Sequence, residues 1–206
     1  MIGQTAAARR LPPILAATLL LLASCVPPPP PVFEKLAFGY LTKIKLDVGS
    51  IETDDSWTPR GSLRQVGFLA PTPPVAALRS MAEDRLIPGG TGGHAVFVID
   101  DASVVLFRSR FEGSFAVHLD LFDAEDKPVG TATATVRGAR MATDDTDADA
   151  VRRDLDALVR KMMADMNIEF EFQVRSTLKE RLQATSVSAP APDGVDAQEL
   201  ELPAQP

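Results

Sequence analysis

The side chains able to do chemistry are few and scattered. The 206-residue chain has one cysteine, Cys25, and two histidines, His94 and His118. Two histidines with a carboxylate are enough for a zinc or iron site. His94, however, opens an apolar run after a glycine stretch, and His118 falls on the polar side of an alternating segment. Both read as surface residues, and no metal site is expected. Asp120, Asp123, Glu125 and Asp126 lack the Asp-x-Asp-x-Asp-Gly order that folds ligands around calcium and read as a solvated turn. Hydrolase chemistry would need Ser, His and Asp held together, usually on a Gly-x-Ser-x-Gly turn, and no such turn occurs. Gly89-Gly90-Thr91-Gly92-Gly93 follows a helix and has no Gly-Lys-Ser/Thr ending, so it reads as a flexible connector rather than a phosphate loop. Met162, Met163 and Met166 are the candidate apolar surface for a partner or lipid, against the commoner role of such a stripe as core. No catalytic residue emerges, and the chain is read as a non-enzyme.

Cys25 is explained by what precedes it. Arg9 and Arg10 form a positive region, an apolar stretch follows from Ile14 to Ala23, and small residues lead into the cysteine in Leu22-Ala23-Ser24-Cys25. The apolar run is too short to span a bilayer core and has the layout of an export signal. The pattern resembles the lipobox of bacterial lipoproteins. That resemblance implies a diacylglycerol on the Cys25 thiol, cleavage between Ser24 and Cys25, and an acyl chain on the freed amine, with no other cofactor. Cysteine suits the task because its sulfur is a strong nucleophile that forms a stable thioether. One acyl chain binds reversibly, whereas several make a lasting anchor. Val26 stands where an Asp would favour inner-membrane retention in enteric lipoproteins. The expected location is therefore the periplasm-facing leaflet of the outer membrane, with the inner membrane as the alternative. Pro27 to Pro31 come next, a polyproline spacer expected to hold the domain roughly 15 Å off the lipid.

The elements that position these residues are legible from hydrophobic period and turn chemistry. Ile44, Leu46 and Val48 alternate with Lys43, Lys45 and Asp47, a half-buried strand ending near Thr53. Residues 54–73 form a loop containing Trp57 and Phe68. Pro73-Pro74 opens a helix with the buried stripe Val75, Leu78, Met81, Ala82 and Leu86, stopped by Pro88-Gly89-Gly90. Ala95 to Leu106 is a buried strand with a bulge or a bend at Asp100-Asp101. Phe115 to Leu121 and Val129 to Ala139 form a hairpin around the turn Asp123–Lys127. Asp144, Asp145, Asp147 and Asp149 cap a last helix running to about Leu182. Residues 168–174 also alternate like a strand, but the step of four from Met166 through Phe170, Val174 and Leu178 favours helix.

The expected class is α+β, in the order β-α-β-β-β-α: a small, mostly antiparallel sheet with two helices on one face. The expected segments are a signal at 1–24, a lipidated spacer at 25–42, one domain at 43–183, and an acidic, Ala/Pro-rich disordered tail at 184–206. With no possible internal disulfide, that domain must be held by its core.

The helix Ala77-Leu78-Arg79 to Asp84-Arg85-Leu86, its glycine-rich exit, the strand Ala95-Val96-Phe97-Val98-Ile99, the hairpin and the terminal helix together resemble the ABC-type transport auxiliary lipoproteins and related small envelope lipoproteins. The resemblance covers most of residues 43–183. It implies a non-catalytic partner of membrane proteins in lipid or solute traffic across the periplasm. The formal charge of −7, made two units more negative by loss of Arg9 and Arg10, disfavours nucleic acid. The expected partners are a membrane, through the lipid anchor, and an envelope protein. The alternative function is binding of a lipid or small ligand in a pocket between helices and sheet.

Overall fold

The computed structural model describes residues 29, 31–60 and 64–182. The signal at 1–24, the lipidation site Cys25, most of the proline spacer and the tail from 184 lie outside the described residues. The chain divides into two compact units, Met1–Val32 and Phe33–Pro206, and the second carries the fold.

Its strands are β1 (Ile44–Leu46), β2 (Ser50–Asp54), β3 (Leu86–Pro88), β4 (His94–Phe107), β5 (Arg110–Phe122) and β6 (Pro128–Met141); its helices are α1 (Pro74–Arg85) and α2 (Ala148–Thr177). A four-stranded sheet has the order β2-β4-β5-β6, with β2 parallel to β4 and the other pairs antiparallel. A second sheet pairs β1 with β3 in parallel, Ile44 opposite Leu86. The fold is α+β, with β2-α1-β4-β5-β6-α2 matching the expected order and the β1–β3 pair added to it.

The expected single strand from Lys43 to Thr53 is therefore two. Ile44, Leu46 and Val48 are buried, but after Gly49 the inward positions shift to Ile51 and Thr53. The chain changes phase at that bend and passes from one sheet to the other. Helix α1 also ends earlier than its glycines suggest. Leu86 takes extended geometry as the helix cap, and Leu86–Pro88 become β3.

The glycine run beyond is not a loose connector. Gly89 and Gly90 donate to the carbonyls of Leu46 and Val48 (2.8 and 3.0 Å), and Gly49 donates to Gly93 (3.0 Å). A Cβ on Gly90 would lie 2.8 Å from the Val48 nitrogen, so the close approach excludes any other residue.

Alternation along β4 and β5 puts Ala95, Phe97 and Ile99, then Phe115, Val117, Leu119 and Leu121, on one face. The register shifts between Ile99 and Asp101, the anticipated bulge, which keeps Ala102 and Val104 on the same side. Both helices cover this face. Leu78 and Met81 of α1 and Leu155, Leu158, Phe170 and Val174 of α2 complete the core, and Phe97 meets Phe170 edge to face at 5.5 Å.

Helix α2 is continuous through residues 168–174, settling the helix reading there, and it stops at Thr177 before a 3-10 turn at Lys179–Arg181. Its N-cap is Asp147, whose carboxylate accepts from the amides of Asp149 and Ala150.

Candidate functional site

Among the described residues no element lies over the second face of the four-stranded sheet. Its side chains there are mixed: Val98, Ser103 and Val105 on β4, Glu112, Ser114, His118 and Asp120 on β5, and Thr131, Thr133, Thr135 and Arg137 on β6. The outer edge of β4 is occupied twice. Strand β2 pairs with its first half, and residues 64–66 pair with its second, Val66 donating to Val104 (2.8 Å) and Leu106 to Arg64 (3.1 Å). Residues 55–60 leave the sheet opposite the bulge and form a wall. Arg79 of α1 binds Asp55 at 2.7 Å, Ser56 donates its amide to Asp54, and Trp57 packs half-buried against the core.

Wall and sheet enclose a groove of about 1020 Å³. Its floor includes Val98, Ser103, Val105 and Ser114, and its wall Trp57. Arg60, Arg110 and Arg137 line it together with Asp54, Asp100, Asp101 and Glu112, so both signs of charge face the same space. Arg110 pairs with Glu112 at 3.6 Å, whereas Arg60 and Arg137 have no ion pair among the described residues. The hydroxyl and amide of Ser56, donating to the Asp54 carboxylate, hold it below the ordinary carboxylate range, so it stays ionised at the groove's end.

His118 stands beside this groove. Its Nδ1 is 2.7 Å from Asp100 and its Nε2 3.4 Å from Asp120. No hydroxyl or thiol is hydrogen-bonded to its ring among the described residues, so the pair that activates a nucleophile is not assembled. His94 opens β4, stacks on Phe122 at 4.6 Å and lies 3.5 Å from Asp126. The two histidines are thus engaged with different acids on different strands. Asp123 accepts the amides of Glu125 and Lys127 within its own turn, and Asp120 accepts the Thr131 hydroxyl (2.6 Å). No group of three metal-binding side chains is found among the described residues.

The methionine stripe requires a correction. Met162, Met163 and Met166 have no exposed surface, so none of them offers a partner or lipid anything to touch. Helix α2 is covered on two sides, by the sheet and by α1 with the segment leading into β1, and adjacent methionines can therefore both be core.

Sequence reasoning passed over three buried polar residues, Arg85, Asp154 and Asn167. Arg85, at the end of α1, donates to the Thr42 carbonyl (3.1 Å), to Asn167 Oδ1 (3.0 Å) and to Glu171. Burial raises the pKa of Glu171, but its hydrogen bonds from Arg85 and Arg175 more than offset that and leave it lowered. Asp154 accepts from Arg140 Nε and from the Thr143 amide, both at 2.7 Å. Burial raises its pKa as well, and the Thr143 and Arg140 bonds bring it below normal. The available signal was position, since Arg85 follows Leu78, Met81 and Ala82 at helical spacing and Asn167 sits within the α2 stripe. A polar residue on an apolar stripe implies a buried partner.

No family model and no curated protein matches this sequence. Among solved structures, one similar chain is a protein from Caulobacter crescentus CB15 provisionally named a lipoprotein. It is 18% identical over 59% of this chain and 90% of that one, with a TM-score of 0.27.

Proposed function

We propose that this chain is a lipid-anchored, periplasm-facing lipoprotein whose uncovered sheet face binds a segment of an envelope protein without catalysing a reaction. The observation that carries the partner reading is the groove. It is long and open, lined by both signs of charge, and walled by Trp57. Such a lining matches a polypeptide, which brings backbone donors and acceptors and mixed side chains, better than a ligand of one charge.

The anchor reading rests on the single cysteine placed directly after Leu22-Ala23-Ser24, with a diacylglycerol on its thiol and an acyl chain on its amine. Val26 favours the outer membrane over the inner. No described helix is long and apolar enough to cross a membrane. The sequence resemblance of residues 43–183 to the auxiliary lipoproteins of ABC-type transporters suggests a place beside a transport or assembly machine.

In-cell crosslinking of the tagged, lipidated chain, followed by mass spectrometry, tests this directly, with Cys25→Ser as control. Specific recovery of a transport or assembly component, reduced in the control, supports the reading. An isolated chain that crosslinks to nothing beyond abundant envelope proteins overturns the partner assignment.

A further inference from the structure

Four of the exposed large apolar side chains gather at one end of the fold: Phe68, Leu69, Phe107 and Met141. Phe68 and Leu69 belong to the 3-10 turn Gly67–Leu69, which faces the start of α2 across a cleft of about 490 Å³ whose lining includes Val66, Leu106 and Val151. Phe107 closes β4, pairs with Arg110, and Arg110 in turn pairs with Met141, so the β4–β5 tip carries the other two.

That tip is built at a cost. Arg108 and Ser109 both have positive φ, 47° and 58°, the left-handed pair a two-residue hairpin turn requires and usually meets with Asn-Gly. The strained turn is held from behind, where Ser109 accepts the Ala142 amide (2.8 Å) and donates its hydroxyl to Asp145 (2.7 Å). It thrusts Phe107 and Arg108 outward from the domain.

Three arginines ring this apolar end without an ion pair among the described residues: Arg64, Arg108 and Arg152. Four carboxylates also stand at this end: Asp144 accepts from Thr146, Asp147 caps α2, Asp145 holds Ser109, and Asp149 lies in the first turn of α2.

The chain also enters here. Moving backward from Phe38, whose amide donates to Asp84, Glu34 lies at Arg160 and Phe33 under Arg152 at 5.2 Å. The segment thus runs beside α2 toward that helix's N-terminus, the end of the fold that bears the tip. Cys25 is only eight residues before Phe33. Eight residues reach at most about 28 Å even fully extended, while Arg152 lies only about 6 Å along the helix from its first residue.

From this we infer that the end bearing Phe68, Phe107, Met141 and the three arginines rests on a phospholipid surface, the apolar side chains among the headgroups and the guanidiniums on phosphates. The inference rests on the lipid-anchor reading proposed for Cys25. The reach from Cys25 is then counted to Phe33, near the end that bears the tip. A tether this short keeps even a weak contact engaged, because the effective concentration of the surface is high. It also turns the open groove sideways, accessible to a neighbouring protein.

Single cysteines at positions 68 and 141, introduced into the full lipidated chain and carrying a nitroxide, test this on vesicles of phosphatidylethanolamine with phosphatidylglycerol. The Cys25 sulfur is blocked by lipid, so the introduced thiol alone takes the label. Labels replacing Phe68 and Met141 are expected to collide more with oxygen than with an aqueous nickel chelate. A label replacing Ile168, exposed and about 30 Å further along α2, is expected to do the reverse. Vesicle-bound protein whose labels at 68 and 141 are as aqueous as that at 168 overturns the docking and leaves the anchor standing. A purified chain whose mass lacks the diacylglycerol overturns both.

Discussion

Gly113 and Gly138 stand opposite one another on β5 and β6, and the side chain of Met162 fills the notch they leave. A Cβ on Gly138 would lie 2.8 Å from Met162 Cγ, and one on Gly113 2.9 Å from Met162 Cε. The helix rides close to the strands because two residues there have no side chain.

Gly138→Ala should therefore destabilise the fold by about 1–3 kcal/mol through overpacking. Met162→Ala should cost about 2–5 kcal/mol as a cavity. The double variant should lose clearly less than the two losses combined, because each change relieves the other. Urea unfolding of all four proteins gives the cycle, and strict additivity would show that the notch is not shared.

The buried guanidinium of Arg85 ties the end of α1 to Thr42, Asn167 and Glu171. Arg85→Ala should cost about 3 kcal/mol, since it leaves a cavity and takes the donor from the Thr42 carbonyl and Asn167 Oδ1, while Glu171 keeps Arg175. Arg85→Lys should recover only part of the loss, because an ammonium cannot reach three acceptors with the planar fork geometry. Equal stability of the Lys variant and the original chain would refute the clamp.

Asp154 predicts a pH dependence. Its folded pKa lies below the ordinary value of 3.8, so its stabilising contribution is complete above that value and disappears as pH falls through the lower folded value. Asp154→Asn should lose about 2 kcal/mol at neutral pH and show a shallower decline in stability below about pH 4. Parallel acid-limb slopes for the two proteins would remove Asp154 from the account.

Ser109→Gly should stabilise the domain by up to about 1 kcal/mol, since glycine adopts the left-handed turn without the Cβ penalty. The exposed hydroxyl bond to Asp145 offsets only a few tenths. A higher thermal midpoint is the expected reading, and a lower one would mean that Asp145 matters more than the backbone.

Arg137 faces the groove with no ion-pair partner among the described residues, so Arg137→Glu should leave stability within about 0.5 kcal/mol. It should also reduce recovery of the groove's partner in crosslinking several-fold. Undiminished recovery would place the partner elsewhere on the molecule.

Much of the scaffold was readable in the residues. The alternation from Phe115 to Leu121 and the acidic pair in β4 were plain in the residues, whereas residues 168–174 fit a strand as well as a helix, and only the continuation of the step of four from Met166 to Leu178 favoured the helix. The phase change after Val48 was present as well, but a change of face reads as a strand's end unless a second sheet waits to receive it. Met162 and Met163 could not be sorted locally, because neighbouring helix positions are both core only when the helix is covered on two sides. The groove was invisible for a related reason. Trp57, Asp101, Glu112 and Arg137 are ordinary surface residues in sequence, and only strand register and the tie from Arg79 to Asp55 bring them round one space.

The strip from Phe33 to Phe38 gives the domain a mechanical property. A pull on the tether enters at Phe33 and must first peel it from Arg152, then Glu34 from Arg160, then Phe38 from Asp84. The first two contacts are weak and can reform after they open, whereas Phe38 is buried in the core. Load reaches β1 only when all have yielded, and there it runs along a strand paired in parallel with β3, where the ladder shares it as shear. A pull from the N-terminal side is therefore taken first by the contacts of Phe33 and Glu34, before Phe38 and β1 bear it.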